Sequence, residues 1–307
     1  MELISTGSLD VEWIHGSKFY KKKTDPLIQV HYYNENTLIM RQSKDVSGEA
    51  PFMYLLLGKE KAILIDTGAT KDENKFPLRK TIDKEIRIWL DHYPQKNYEL
   101  IICHTHGHND HTAGDYQFLQ RPNTILITKD LDSVKIFFKI DNWPDTNGSI
   151  NLGDRKLDII PTPGHDPREI SIYDHLTKIL ITGDLVYPGR LYAFDFPTFV
   201  ESLNKLVHFT EQHEILYILG CHLEMTKTSK KAYPINASYQ PNEPKLEMTV
   251  EQLVTIRDTA KKIGNKGGIY TSDDFIIWSG PCYRSAMILL VKGFLYNFKY
   301  RLGLIKE

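Results

Sequence analysis

Residues 104–111 read His-Thr-His-Gly-His-Asn-Asp-His, which places four histidines and an aspartate within eight positions. Imidazole and carboxylate together suit a borderline divalent cation such as zinc. One ion does not account for the spacing. His106 and His108 are two apart, so in an extended segment they point the same way and can grip one ion. Asp110 and His111 come after the chain turns, where they can face a second ion beside the first. The cluster follows an apolar run, Tyr98-Glu99-Leu100-Ile101-Ile102-Cys103, that reads as a buried strand. It leads into Thr112-Ala113-Gly114-Asp115, a turn opening a helix. A polar loop that happens to be rich in histidine is the plainer alternative, and so dense a cluster behind a buried strand disfavours it.

The segment fits H-x-H-x-D-H, with His106, His108, Asp110 and His111 in register, and in this the chain resembles the metallo-β-lactamase superfamily. His104 lies outside the pattern and is read as packing or hydrogen-bonding behind the ligands. The resemblance implies an α/β fold, a four-layer αββα sandwich of two mixed β-sheets flanked by helices. It also implies a ligand set. His106, His108 and His165 would hold the first ion, and Asp110, His111 and His222 the second, with Asp184 bridging the two. Asp110 is counted among the catalytic residues as well. Asp66, in Asp66-Thr67-Gly68, is carried over as a brace under the metal loop and not as a ligand. Tyr187, three residues after Asp184, matches a tyrosine placed the same way in dizinc acyl-homoserine lactonases, where it assists at the substrate carbonyl or leaving group; an ordinary loop aromatic is the plainer alternative. Such a signature is specific for fold and metal, and poorly specific for substrate, because one fold hosts many functions.

The chemistry of such a pair follows from its charge. Two neighbouring dications repel, so a shared carboxylate and a shared hydroxide lower the cost of holding them together. The same charge brings the pKa of bound water from about 15.7 toward ~7, giving a nucleophile at neutral pH. The expected function is hydrolysis of a small ester, thioester or lactone on two divalent ions, Zn2+ first and Mn2+ or Fe2+ as substitutes. Histidine at 108, where the oxygen-reducing flavodiiron branch carries an acidic residue, disfavours redox chemistry. The absence of a cysteine ligand after the bridging aspartate puts β-lactam hydrolysis in doubt. A β-lactamase-like amidohydrolase and a phosphodiesterase are the competing enzymes. A ligand-binding or regulatory protein that kept the fold is the non-enzyme alternative, and the complete set of seven ligands argues against it.

The remaining elements must deliver these residues to one place. Residues 28–32 and 37–40 read as a hairpin across Asn34-Glu35-Asn36, and 52–57 with 62–65 as another, ending in Asp66. Leu78, Ile82, Ile86, Trp89 and Leu90 recur at helical spacing before Pro94. A strand at 124–128, a helix at 131–140 and a loop at 142–148 come next. Residues 157–160 lead through Pro161-Thr162-Pro163-Gly164 to His165, where the prolines restrict the chain. A hairpin of 170–173 and 178–181 ends before Asp184. A helix with Phe199, Leu203, Leu206 and Val207 inward precedes the strand 215–219, which ends before His222. Strands thus end repeatedly in Asp or His, which suggests one convergent site at a sheet edge. The aromatic segment 187–196 is expected to be partly core and partly a seat for an acyl or aryl group; Arg190 could meet a carboxylate there but is read first as a solvated surface arginine.

At 307 residues, 41% hydrophobic and 25% charged, the chain is composed like an ordinary globular enzyme. It is expected to form one domain over 1–307, with an extended loop at about 223–248 and a closing element at about 249–307. A net charge of −1 gives no general attraction to nucleic acid, so a small molecule is the expected partner. Cys103, Cys221 and Cys282 include no C-x-x-C and suit a reducing compartment, with Cys103 and Cys221 read as small buried residues. No leader is visible at the N-terminus, so a cytoplasmic location is expected. Residues 286–302 mix aromatics with Lys292, Lys299 and Arg301, as an interfacial anchor does. They are too short an apolar run to span a bilayer and are read as a final strand followed by a helix packed on the sandwich, with lysine and arginine stems at its edge.

Overall fold

The computed structural model describes residues 6–264, 266–280 and 282–305. Met1–Ser5, on which the leader expectation rests, lie outside them. In chain order the elements are β1 (Ile28–Asn34), β2 (Thr37–Gln42), β3 (Phe52–Leu57), β4 (Lys61–Ile65), α1 (Leu78–His92), β5 (Glu99–Cys103), α2 (Asn109–Thr112), β6 (Thr124–Leu126), α3 (Leu131–Phe138), β7 (Gly148–Asn151) and β8 (Lys156–Pro161). After these come β9 (Ile170–Asp174), β10 (Ile179–Ile181), β11 (Arg190–Ala193), α4 (Phe196–Gln212), β12 (Tyr217–Leu219), β13 (Glu247–Met248), α5 (Val250–Ile263), β14 (Gly268–Thr271), β15 (Ile276–Ser279) and α6 (Tyr283–Arg301).

Two six-stranded sheets carry the architecture, β1-β2-β3-β4-β5-β6 and β13-β12-β10-β9-β8-β7. Each is mixed: β4, β5 and β6 run parallel within the first, and β10 and β12 within the second. Side chains alternate across a strand, and the alternation sorts them into layers. Ile63, Ile65, Ile101 and Cys103 join Leu157, Ile159, Ile170, Ile172, Ile179 and Ile181 in the core between the sheets. Their neighbours Ala62, Leu64, Leu100 and Ile102 face the other way, onto Leu78, Ile82, Ile86 and Trp89 of α1. On the far side, Ile160, Tyr173, Leu180 and Ile218 pack against α4 and α5. The αββα order expected from the sequence is therefore present. Asp195 caps α4 through its side chain, and Thr249 with Gln252 forms a reciprocal capping box at α5.

Two expectations need correction, and one sheet was not expected. A third sheet, β11-β15-β14, joins the aromatic segment after Asp184 to the C-terminal region, a pairing across more than eighty residues that no local pattern announces. Residues 283–301 form one helix and the strand expected within 286–302 is absent from it, because the apolar run 286–291 consists largely of good helix formers and no turn divides it from the residues after it. That helix does not pack its apolar residues on the sandwich: only Gly293 and Tyr300 of it are fully buried. Arg190, read as a surface residue, is buried against Glu224 and the Tyr233 carbonyl, partners supplied by the 223–248 segment. That segment is anchored a second time by Arg41, whose guanidinium meets both oxygens of Glu243 at 2.5 and 2.7 Å. Among the described residues no helix is long and apolar enough to cross a membrane.

Candidate metal centre

The parallel pairs β4/β5 and β10/β12 are in register at their carboxyl ends, Ile65 opposite Cys103 and Ile181 opposite Leu219. Asp66, the histidine loop, Asp184 and His222 therefore leave the sheets at ends where parallel neighbours stop together. His165 arrives from the turn after β8. Gly183, at φ +55°, is needed just before Asp184: a Cβ there would lie 2.8 Å from Cβ of Thr105.

Ring nitrogens converge in a first group. His106 Nε2 lies 3.0 Å, and His165 Nε2 3.1 Å, from His108 Nδ1. Asp110, His111, Asp184 and His222 form a second. His222 Nε2 is 3.3 Å from Asp110 Oδ2 and 3.3 Å from His111 Nε2. In each group the potential ligand atoms all lie within 4.8 Å of one another. Asp184 stands between. Its Oδ1 is 3.4 Å from His222 Nε2 and 3.6 Å from His111 Nε2, while its Oδ2 is 3.7 Å from His165 Nε2 and 3.9 Å from His106 Nε2.

The opposite ring nitrogens are engaged outward. His111 Nδ1 donates to Asp66 Oδ2 at 2.9 Å, His165 Nδ1 to the Tyr192 carbonyl at 3.0 Å and His222 Nδ1 to the Glu49 carbonyl at 3.2 Å. His106 Nδ1 donates to Thr105 Oγ1 at 3.2 Å, and that hydroxyl donates on to Asp66 Oδ2. Each Nδ1 thus holds a proton and leaves Nε2 as the nitrogen that faces the centre, the one a cation would bind. His108 is turned the other way, with Nδ1 inward and Nε2 3.9 Å from Asp166, which Arg168 holds. His104 lies behind the site, bonded to Asp115.

The charges follow from this crowding. Burial pushes His106 well below its ordinary value, helped by the nearby His111, and burial likewise lowers His165. Burial also works against charge on His222, yet the carboxylates of Asp184 and Asp110 prevail and raise it to about 9. His111 is raised in the same way by Asp66, Asp184 and Asp110 against its burial. Asp184, despite complete burial, is held well below the usual carboxylate range by His222 and His111. Its Oδ1 is buried without a hydrogen-bond partner. An orphaned carboxylate oxygen facing convergent ring nitrogens is what a divalent cation would satisfy once it displaces their protons, so the residues fit a metal pair.

A cavity of about 460 Å³ opens onto the two groups, walled by Glu49, Tyr187, Tyr192, Phe194, Glu224 and Ile235. The Tyr187 ring rests against His222 and its hydroxyl donates to the Arg190 carbonyl, with Glu224 at 3.3 Å. Tyr192 lines the same cavity, and among the described residues its hydroxyl has no hydrogen-bond partner. Sequence reasoning placed Tyr192 in the aromatic 187–196 segment without a role of its own, and it missed Glu224. It also missed Glu169, a fully buried carboxyl that accepts from the Asp184 amide at 3.0 Å and is pushed well above its ordinary value by burial and the Asp184 charge. Nothing local marks Glu224 or Glu169. Cys103 and Cys221 are free and buried, as expected, and Cys221 Sγ lies 3.3 Å from Asp66.

The family described as the metallo-beta-lactamase superfamily matches residues 47–222. A hydroxyacylglutathione hydrolase of Mesorhizobium japonicum is 24% identical over 188 residues, 60% of this chain and 71% of that protein. The acyl-coenzyme A thioesterase MBLAC2 of Homo sapiens is 28% identical over 228 residues, 63% of this chain and 80% of that protein. Among solved structures, TMB-1 covers 78% of this chain and all of its own at a TM-score of 0.52 and 16% identity, a likeness of fold alone.

Proposed function

The chain belongs to the metallo-β-lactamase superfamily and is a hydrolase of it, and from that premise we propose that it cleaves thioesters at a dizinc centre. The observation that carries the reading is the placement of Asp184, one carboxylate oxygen toward each of two donor groups. His106, His108 and His165 would hold one ion, Asp110, His111 and His222 the other, and Asp184 both. The thioester assignment is supported by two relatives, one a hydroxyacylglutathione hydrolase and one an acyl-coenzyme A thioesterase. The three cysteines, all unpaired, support a reducing, cytoplasmic setting.

When bound, two divalent ions would lower the pKa of a shared water and polarise the carbonyl it attacks. The chain's own groups do the rest. Thr105, Asp66 and the carbonyls of Glu49 and Tyr192 fix the tautomer and aim of the ligand rings. Phe194 and Ile235 offer an apolar wall to the acyl group. Both cavity tyrosines are candidates to donate to the developing oxyanion, and Tyr192 is favoured because its hydroxyl is free, whereas Tyr187 would first have to leave the Arg190 carbonyl. Water oxygen bonds to the acyl carbon, the C–S bond breaks, and the thiolate takes up a proton.

The test is a substrate panel on the zinc-loaded chain: glutathione and coenzyme A thioesters, matched oxygen esters, lactones and a β-lactam. Thioesters should give the highest kcat/KM by an order of magnitude or more. A lactone or β-lactam turned over faster than any thioester would overturn the assignment.

A further inference from the structure

Helix α6 is docked by an unusual face. Tyr296 donates to the Tyr239 carbonyl at 2.6 Å, and Asn297 exchanges bonds with Ser238 N and the Asn236 carbonyl at 2.9 and 2.8 Å. Tyr300 stacks on Tyr239 and donates to the Ser17 carbonyl. At Gly293 the helix comes so close that a Cβ would lie 2.2 Å from the Ile235 carbonyl oxygen. The contact is thus largely polar and aromatic, and the outward face is apolar. Met287, Leu290, Phe294 and Phe298 are 65%, 53%, 72% and 53% exposed, and Ile288, Val291, Leu295, Leu302 and Leu304 are exposed with them. A surface helix normally turns its apolar stripe to the core, and this one turns it away. An exposed apolar patch of this extent marks an interaction site.

Charge selects the partner. Between residues 283 and 305 there are four cations, Arg284, Lys292, Lys299 and Arg301, and no Asp or Glu. Tyr20, against Tyr300 and under the Arg301 guanidinium, brings the exposed Phe19, Lys21 and Lys22 to the same end of the helix. A second copy meeting this face isologously would set like charges against like, which opposes association. We propose that α6, with the Phe19–Lys22 loop, docks this protein on an anionic lipid surface, with the outward side chains entering the headgroup boundary and the cations meeting lipid phosphates. The helix lies on that surface and does not cross it, since no described helix is long and apolar enough to span. The segment on which it sits also walls the metal cavity through Ile235.

The experiment is co-sedimentation of the full metal-loaded chain with vesicles of phosphatidylcholine alone and of phosphatidylcholine mixed with phosphatidylserine, at low and high salt. The chain should pellet with the mixed vesicles at low salt, and each of Lys292→Gln and Lys299→Gln should weaken partition about fivefold. The double variant Leu290→Glu/Phe294→Glu should abolish it while leaving metal content and hydrolysis unchanged, since these side chains touch neither. No binding to the mixed vesicles would overturn the proposal, as would binding that these substitutions do not alter. A concentration-dependent dimer lost in the double variant, with no vesicle binding, would assign the face to a second copy and overturn it as well.

Discussion

His111 Nδ1 and Asp66 Oδ2 lie 2.9 Å apart, and solvent reaches neither side chain. Asp66 sits at φ +65°, a conformation aspartate tolerates better than most residues, and it accepts at once from His111, the Thr105 amide and the Thr105 hydroxyl. Asp66, which stands behind the two donor groups, therefore sets the tautomer of His111 and the path of the loop that carries three further candidate ligands, His106, His108 and Asp110.

Asp66→Asn should consequently weaken metal at the Asp110–His111–His222 group by about 10–100-fold, with a smaller effect on the His106–His108–His165 group. Competition against a chromophoric chelator reads both affinities. Equal affinities in variant and parent would mean that Asp66 does not orient the ligands.

The two cavity tyrosines separate by kinetics. Tyr192→Phe should lower kcat on thioesters by the order of 10²-fold with little change in KM, as loss of an oxyanion donor does. Tyr187→Phe should cost less in kcat and about 1 kcal/mol in stability, because its hydroxyl serves Arg190. The opposite ranking would give the donor role to Tyr187.

How much of this was legible in the sequence depends on range. His106, His108, Asp110 and His111 share one short loop, and His165, Asp184 and His222 lie at or soon after the ends of apolar runs, so the candidates were visible in the sequence while the family resemblance supplied their grouping; the structure brings the seven together in two groups. The layers were legible too, because Ile63 and Leu64 must face opposite sides of a strand. The features that stayed hidden depend on distant partners. Glu169 follows Asp166-Pro167-Arg168 in a polar stretch, and nothing local says that its carboxyl is buried under Asp184. Arg190 read as a surface residue because Glu224 reaches it only in the folded chain. The apolar run of α6 read as packed because an exposed one contradicts the usual economy of burial.

Proton release gives an independent check on the second group. His222 is raised to about 9 and His111 is raised as well, so near neutral pH the metal-free site holds protons there that a cation must displace. In the unfolded chain these rings titrate near 6.5. The charged form of His222 therefore stabilises the metal-free fold fully below 6.5, and that contribution is lost as pH rises through about 9, with His111 acting in the same direction. His106 and His165 are lowered, so their cost falls only below 6.5 and has gone by neutrality. The gain in Tm on adding zinc should thus grow steadily from pH 6.5 to 9, with protons released on binding at pH 7. A gain that shrinks over that window would contradict the assignment of His222 and His111.

The central claim is that thioester hydrolysis needs both donor groups filled and Asp184 between them. Metal-stripped protein titrated with zinc, assayed on a thioester at each addition with bound metal measured alongside, tests it directly. The account predicts full activity at about two ions per chain, and loss of both ions and activity in Asp184→Ala. Activity that is complete at one ion, or that survives in the stripped protein, would contradict it.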